Sequence, residues 1–351
     1  MRGQNNIQGA GDCGAVPANF PGFQPCADPA SVEKFSKAYR TEIDGGKGIT
    51  KVAALNQCGN QIRAMLIDGE NTVVSDPDRN HCQKALESLD HLVVIDIFLT
   101  ETAQMADVVF PATAWGETDG VCTNTERRVQ RLRAAVNPPG DAKPDWWIVS
   151  QMAQKMGVPG FEYPSAKEVF NELCSLSPIY AGLDWDRIDK SEYQWPVPDK
   201  DHPGTPVLHR NEFKNGRGLF KVIGYRDPAE VVDEKFPVWL TTGRRLQAYH
   251  TRTQTGRAAG IDYLLKEESL EVHPEDVESW GLTEGEICRL SSARGSVEVR
   301  VKATDQSPRG TVFTSFSFNS VPVNILTGSG YDPVTETAEL KVCPVKVEPI
   351  G

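Results

Sequence analysis

Residues 91–97, His-Leu-Val-Val-Ile-Asp-Ile, constrain the fold more than any other stretch. A continuous run of β-branched and aliphatic side chains leaves no face for water, so a strand here must be buried on both sides. A parallel sheet covered by helices meets that condition. The neighbouring pattern agrees. Residues 64–67 (Ala-Met-Leu-Ile) form a shorter apolar run, 76–88 carry helical spacing, 100–105 read as a short helix, and 106–111 (Ala-Asp-Val-Val-Phe-Pro) as another strand. Strand and helix alternating at this spacing predict βαβ units and an α/β fold. Ligands of such sheets gather beyond the carboxyl ends of the strands. Those ends are residues 69–71, 96–101 and 112–117.

Further helices are expected over 31–41, 145–156 and 165–175. The Trp and Met side chains of 145–156 read as core. From residue 236 the texture changes to short β-rich runs at 238–241, 287–291, 297–301 and 311–316, divided by Gly and Ser, with a small helix near 274–281. Glu284-Gly285 and Arg294-Gly295 read as tight turns. This predicts a compact β-barrel of about 115 residues. The Pro-, Asp- and Gly-rich stretch 193–216 reads as a surface segment. The expected organisation is 1–160 as an α/β domain, 161–235 as linker and surface, and 236–351 as the barrel.

Composition excludes several classes. The net charge is −11, opposite to the basic face of a nucleic-acid protein. No run approaches the ~18–20 apolar residues of a membrane span, and no apolar leader opens the chain. The cysteines at 13, 26, 58, 82, 122, 174, 288 and 343 form no C-x-x-C pair, so no zinc ribbon or local iron–sulfur motif is visible. Scattered reduced thiols point to the cytoplasm.

Three polar clusters could carry chemistry. Asp96, at a strand end, could accept N–H bonds from a guanine edge or a ribose, or could simply cap a turn before Thr100. Residues 120–130 are a dense polar loop after a strand. Residues 241–256 hold five Thr, three Arg and two Gly, a mixture of hydroxyls, guanidinium forks and backbone N–H groups suited to a pyrophosphate. That loop is not a Walker A motif, and no G-x-G-x-x-G is present. The first fifteen residues are rich in Gly, Gln and Asn, with Arg2 and Gln4 near the start. By composition they are either a frayed terminus or a loop that grips an anion.

Taken together, the stretches 2–14, 69–77, 96–115, 120–130, 138–146, 241–256 and 339–347 resemble the molybdopterin oxidoreductase superfamily. Within it they are most similar to the catalytic subunit of molybdenum- or tungsten-dependent formate dehydrogenases, on account of Arg2-Gly-Gln-Asn-Asn-Ile-Gln-Gly-Ala10. The resemblance implies half of a doubly wound parallel-sheet domain followed by a double-psi-like, dinucleotide-binding β-barrel. It implies a bis-molybdopterin guanine dinucleotide cofactor with Mo or W. Asp96 would read a guanosine, with Gly69, Thr100 and Asp145 as neighbouring contacts. Thr242, Gly243, Arg244, His250 and Thr251 would run along the second dinucleotide, and Phe316, Asn324 and Lys341 would complete it. Arg2 would hold the formate carboxylate, with Gln4 beside the pterin.

The resemblance also implies what must come from elsewhere. The family's N-terminal [4Fe-4S] motif, its metal-ligating Cys or selenocysteine and the following His have no match here. The expectation is a C-terminal half that works with an N-terminal partner carrying those groups and with iron–sulfur electron-transfer subunits, oxidising formate to CO2. Half a doubly wound sheet leaves an open edge and an uncovered apolar face. The alternatives are another reaction on the same scaffold, or a non-catalytic cofactor-binding subunit of a redox complex.

Overall fold

The structure, a computed structural model, describes residues 4–350. In chain order its first elements are α1 (Ile7–Asp12), a small ladder of β1 (Asn19–Phe20) and β2 (Gln24–Pro25), α2 (Pro29–Tyr39), α3 (Lys51–Leu55), β3 (Ala64–Asp68), α4 (Thr72–Ser75), α5 (Arg79–Glu87), β4 (His91–Asp96) and β5 (Val108–Pro111). Next come β6 (Gly120–Thr123), β7 (Arg128–Leu132), α6 (Asp145–Lys155), α7 (Ala166–Leu176), α8 (Trp185–Lys190) and β8 (Tyr193–Gln194). The rest is β9 (Val238–Gly243), α9 (Ala259–Leu264), β10 (Ser269–Val272), α10 (Pro274–Ser279), β11 (Ile287–Ser291), β12 (Ser296–Ala303), β13 (Thr311–Ser315) and β14 (Val342–Pro349). Among the described residues, no helix is long and apolar enough to cross a membrane.

The chain divides into two compact units, Met1–Thr50 with Phe110–Val222 and Lys51–Val109 with Ile223–Gly351. The division cuts across the expected boundary near residue 160, because the α/β segment 51–109 clusters with the barrel.

The parallel sheet has the order β3-β4-β5, with Ala64 opposite His91 and Asp68 opposite Ile95. β4 is buried at every residue after His91, as its apolar run requires. Asp78 and Asp28 cap α5 and α2, accepting from the backbone N–H of His81 and Ser31.

The barrel closes in the order β10-β12-β11-β14-β9-β13. Burial alternates along β9, β11 and β12, and Leu240, Leu270, Leu290, Val299 and Val312 fill the interior. Closure removes the sheet edges. The first part of 161–235 differs from the expected linker. There α7, α8 and β8 pack Phe170, Tyr180, Ile188 and Trp195 around Val129 of β7. The helix expected over 100–105 is a single 3₁₀ turn, Ala103–Met105.

Candidate functional site

The barrel unit gathers most of the expected site residues. β9 runs directly into the Thr- and Arg-rich loop. The Thr242 hydroxyl donates to the Leu340 carbonyl and ties the loop base to the segment before β14. At Gly243 a Cβ would come within 2.5 Å of the Phe313 ring, so a side chain there would displace the aromatic.

The next two residues part company. Arg245 turns inward to Glu268 at 3.0 Å and to Glu271. Glu268 is fully shielded and also accepts from the Ser315 hydroxyl. Burial alone would lower the Arg245 pKa, yet the two carboxylates hold it above the usual value. Arg244 stays exposed, with its guanidinium 5.5 Å from the centre of the Phe316 ring.

Two more groups converge on that ring. Lys341 Nζ lies 5.6 Å from its centre, and the His250 imidazole meets it edge-on at 5.3 Å. Burial, then the neighbouring Arg244, pulls the Lys341 pKa down. Burial pulls His250 down as well; Arg244, Lys51 and Lys341 act in the same direction and Glu70 opposes them. Among the described residues neither Arg244 nor Lys341 has an ion-pair partner. Two cations around one aromatic ring, neither held in an ion pair, make a site for an anion.

The strand ends of the same unit supply a polar rim. Gly69 takes φ +66 as the chain leaves β3, and its N–H donates to Ile95 O at 2.8 Å. Asp96, at the end of β4, is nine-tenths buried and accepts from Phe98 N at 3.2 Å. Burial raises its pKa, against the backbone N–H groups of Phe98 and Ile97 and the Arg257 guanidinium. Asp68 is raised too, by burial and then by Asp96. The Thr100 hydroxyl is buried and caps the 3₁₀ turn through Ala103 N at 3.2 Å.

Nearby is a cavity of about 410 Å³ lined by Asn71, Glu101, Thr251, Arg257, Ser317 and Asn319, among others. Ser317 is 1 % exposed, and among the described residues its hydroxyl has no partner. A buried hydroxyl beside a cavity, with nothing to bond, is open to a ligand.

Other expected residues are placed differently. Asn324 is buried and occupied by the fold, its amide donating to Val74 O at 2.8 Å and Ser75 O at 3.2 Å. Gln4 and Asp145 belong to the other unit, Asp145 in the first turn of α6. Arg2 lies outside the described residues. Sequence reasoning missed Arg257, which stacks 4.5 Å over the Phe98 ring, and Ser317. Phe98 sits between Asp96 and Thr100, so its place beside two polar candidates was the available signal. Ser317 had none. Among the described residues, no group of three or more His, Cys, Asp or Glu could hold a metal ion.

A family model described as "Molybdopterin oxidoreductase" matches residues 3–155, and one described as "Molydopterin dinucleotide binding domain" matches 238–344. The chain is 45% identical to the F420-dependent formate dehydrogenase 2 subunit alpha of Methanococcus maripaludis, over all of this chain and 52% of that protein. It is 34% identical to formate dehydrogenase H of Escherichia coli, again over its whole length and 50% of that protein. The chain thus spans about half the length of these relatives. Acetylene hydratase from Pelobacter acetylenicus shares the fold at TM-score 0.68 and 19% identity, over 92% of this chain and 50% of that one.

Proposed function

This chain belongs to the molybdopterin oxidoreductase family, and on that premise we propose that it is the C-terminal half of a formate dehydrogenase catalytic subunit. It grips a bis-molybdopterin guanine dinucleotide that carries Mo or W, and it orients formate. The observation that carries this reading is the Phe316 ring flanked by Arg244, Lys341 and His250, where neither cation has an ion-pair partner among the described residues.

The residues fit such a group. Arg244, Lys341 and the hydroxyl of Thr251 meet a diphosphate. Asp96, at a strand end, accepts from a guanine edge, and Ser317 offers a hydroxyl that the fold leaves unused. Gly69 and Thr100 shape the rim. Asp145, in the first turn of α6, is a further cofactor contact in this reading. When bound, the metal–pterin group supplies the two-electron acceptor for oxidation of formate to CO2. Arg2 holds the formate carboxylate by a charge-assisted bond, and Gln4 stands beside the pterin. A fixed guanidinium lowers the free energy of an anion in a water-excluded site.

The other half comes from an N-terminal partner with the [4Fe-4S] motif and the metal-ligating Cys or selenocysteine, followed by iron–sulfur subunits. Two things support a partner. The relatives are about twice as long. The first unit also has an apolar cavity of about 630 Å³ along α6, where Met156 is 77 % exposed. The chain alone turns over no formate. Eight free thiols support a cytoplasmic complex.

The test is Arg2→Ala in the assembled complex. Formate-dependent dye reduction should fall by about a thousandfold, the scale of a lost charge-stabilising group, while metal and pterin content stay at the wild-type level. Wild-type turnover would sink the assignment. A complex that holds no pterin would replace the enzyme reading with that of a scaffold subunit.

A further inference from the structure

We propose that residues 219–225 are a docking strand that pairs with the edge of a helix-covered sheet in the N-terminal half. The inference rests on the reading that such a half exists, and it adds which segment of this chain meets it and in what form. It comes from a stretch that no part of the cofactor grip uses.

Residues 219–225 read Leu-Phe-Lys-Val-Ile-Gly-Tyr. An apolar run of this kind belongs inside a protein. Here it lies outside. Phe220 and Val222 are fully exposed, Ile223 and Tyr225 nearly so, and Leu219 is 77 % exposed. Phe220 and Tyr225 alone carry about 150–250 Å² each. With Leu219, Val222 and Ile223 they match the roughly 300–600 Å² of the largest apolar patch on a whole monomer. The main chain is bare as well. Residues 217–228 belong to no helix or strand, and among the described residues none of their backbone groups enters a backbone hydrogen bond. Both flanks are tied down. Ahead of the stretch, Arg127 donates to Thr205 O at 3.0 Å and Pro206 O at 3.2 Å. Phe213 and Gly216 then exchange backbone bonds at 3.1 and 2.8 Å. Behind it, Arg294 grips both carboxylate oxygens of Glu230 at 2.6 Å, and Ala229 N donates to Glu339 at 3.0 Å. The bare stretch is therefore not a frayed end.

The pattern of the run says what covers it. In a ladder, alternate residues point to opposite faces. Leu219, Ile223 and Tyr225 then share one face, and Phe220 and Val222 the other. A strand that meets water on one side alternates apolar with polar, and this one is apolar on both. Its place is in a sheet with helices on either side, and its unpaired backbone supplies the ladder. Between residues 210 and 226 five Lys and Arg stand against Glu212 alone, in a chain of net charge −11. The rim that receives the strand is accordingly acidic. The relatives are about twice as long as this chain, so the other half of the catalytic subunit is there to supply that sheet. A second copy of this chain pairing through the same segment would bring Arg217, Lys221 and Arg226 against their own kind. It would also leave both apolar faces uncovered.

The experiment uses the assembled complex. In hydrogen exchange read by mass spectrometry, the amides of 219–225 should exchange at least about a hundredfold more slowly than in a free peptide, because ladder bonds open only with the interface. Exchange at the free-peptide rate overturns the proposal. Phe220→Ser and Ile223→Ser then remove one anchor from each face, at exposed positions where the fold of this chain has no contact to lose. Each should speed the departure of the N-terminal half from the diluted complex by about thirtyfold, the scale of an interface hot spot. An effect from only one of the two variants overturns the covered sheet. Protection that appears in a dimer of this chain without the N-terminal half assigns the segment to a second copy and overturns it as well. So does binding to phosphatidylglycerol vesicles that both variants abolish while departure of the N-terminal half is unchanged. If the complex holds that half and reduces dye with formate while 219–225 exchanges freely, the docking strand is wrong and the functional reading stands. If no such half accompanies the chain, both fall together.

Discussion

Two clusters on the barrel unit begin with adjacent arginines and come to opposite ends. Arg245 enters a closed set of charges: Glu268 and Glu271 face it, Lys302 reaches Glu271 at 3.1 Å, and Ser315 completes Glu268. Arg244 joins Lys341 and His250 at the Phe316 ring, and neither cation has an ion-pair partner among the described residues. The first cluster is balanced within the chain. The second is balanced only when an anion arrives. Neighbouring residues of one type can thus serve folding and binding separately, according to which side of the strand end they leave from.

The sharpest way to break this comparison is to remove each arginine in turn. Arg245→Ala strips the fully buried Glu268 of its cation, and loss of one partner from a buried pair costs about 3–5 kcal/mol. Guanidinium unfolding should show this, with hydrogen exchange rising first in β10 and β13. Arg244→Ala should leave stability within about 0.5 kcal/mol, since the residue is exposed. Its effect should instead be on binding: guanosine diphosphate titrated into the chain should lose about tenfold in affinity, the scale of a charge-assisted hydrogen bond. It should also let the Lys341 ammonium, now held down by burial and Arg244, titrate at higher pH. Equal losses of stability from the two variants would erase the distinction.

The same pair shows what the sequence makes legible. Residues 241–256 read as a single pyrophosphate grip because Thr, Arg and Gly have the same chemistry whether they face a ligand or a glutamate. The partner that claims Arg245 lies on β10, and β10 escaped detection for the same reason. Glu271 within it and Glu268 just before it look like surface residues until a cation is placed opposite them. β14 was hidden by Pro344, which lacks an N–H and argues against a strand. By contrast β4, buried on both faces, and the barrel strands β11 and β13, which alternate or run apolar, were visible from periodicity alone. Asn324 shows the converse limit. Its amide is spent on the carbonyls of Val74 and Ser75, a contact across about 250 residues that no local pattern encodes.

The smallest expected effect is the pH response of the open cluster, and it sharpens the comparison because the closed cluster cannot share it. Burial and Arg244 hold the free His250 imidazole below its usual range, so it is neutral at pH 7. A bound diphosphate adds negative charge beside it and raises its pKa. Binding therefore takes up a proton, and affinity must increase as pH falls through the bound-state pKa, levelling off below the free-state one. Guanosine diphosphate should bind about threefold more tightly at pH 6 than at pH 7.5, a modest linkage for one partly exposed group. In His250→Gln that slope should vanish while affinity at pH 7.5 barely changes, because the neutral ring contributes no charge there. A slope that survives the substitution would assign the proton to another group of the rim, with Asp96 excluded by its sign: protonating a carboxylate acceptor weakens a guanine contact as pH falls.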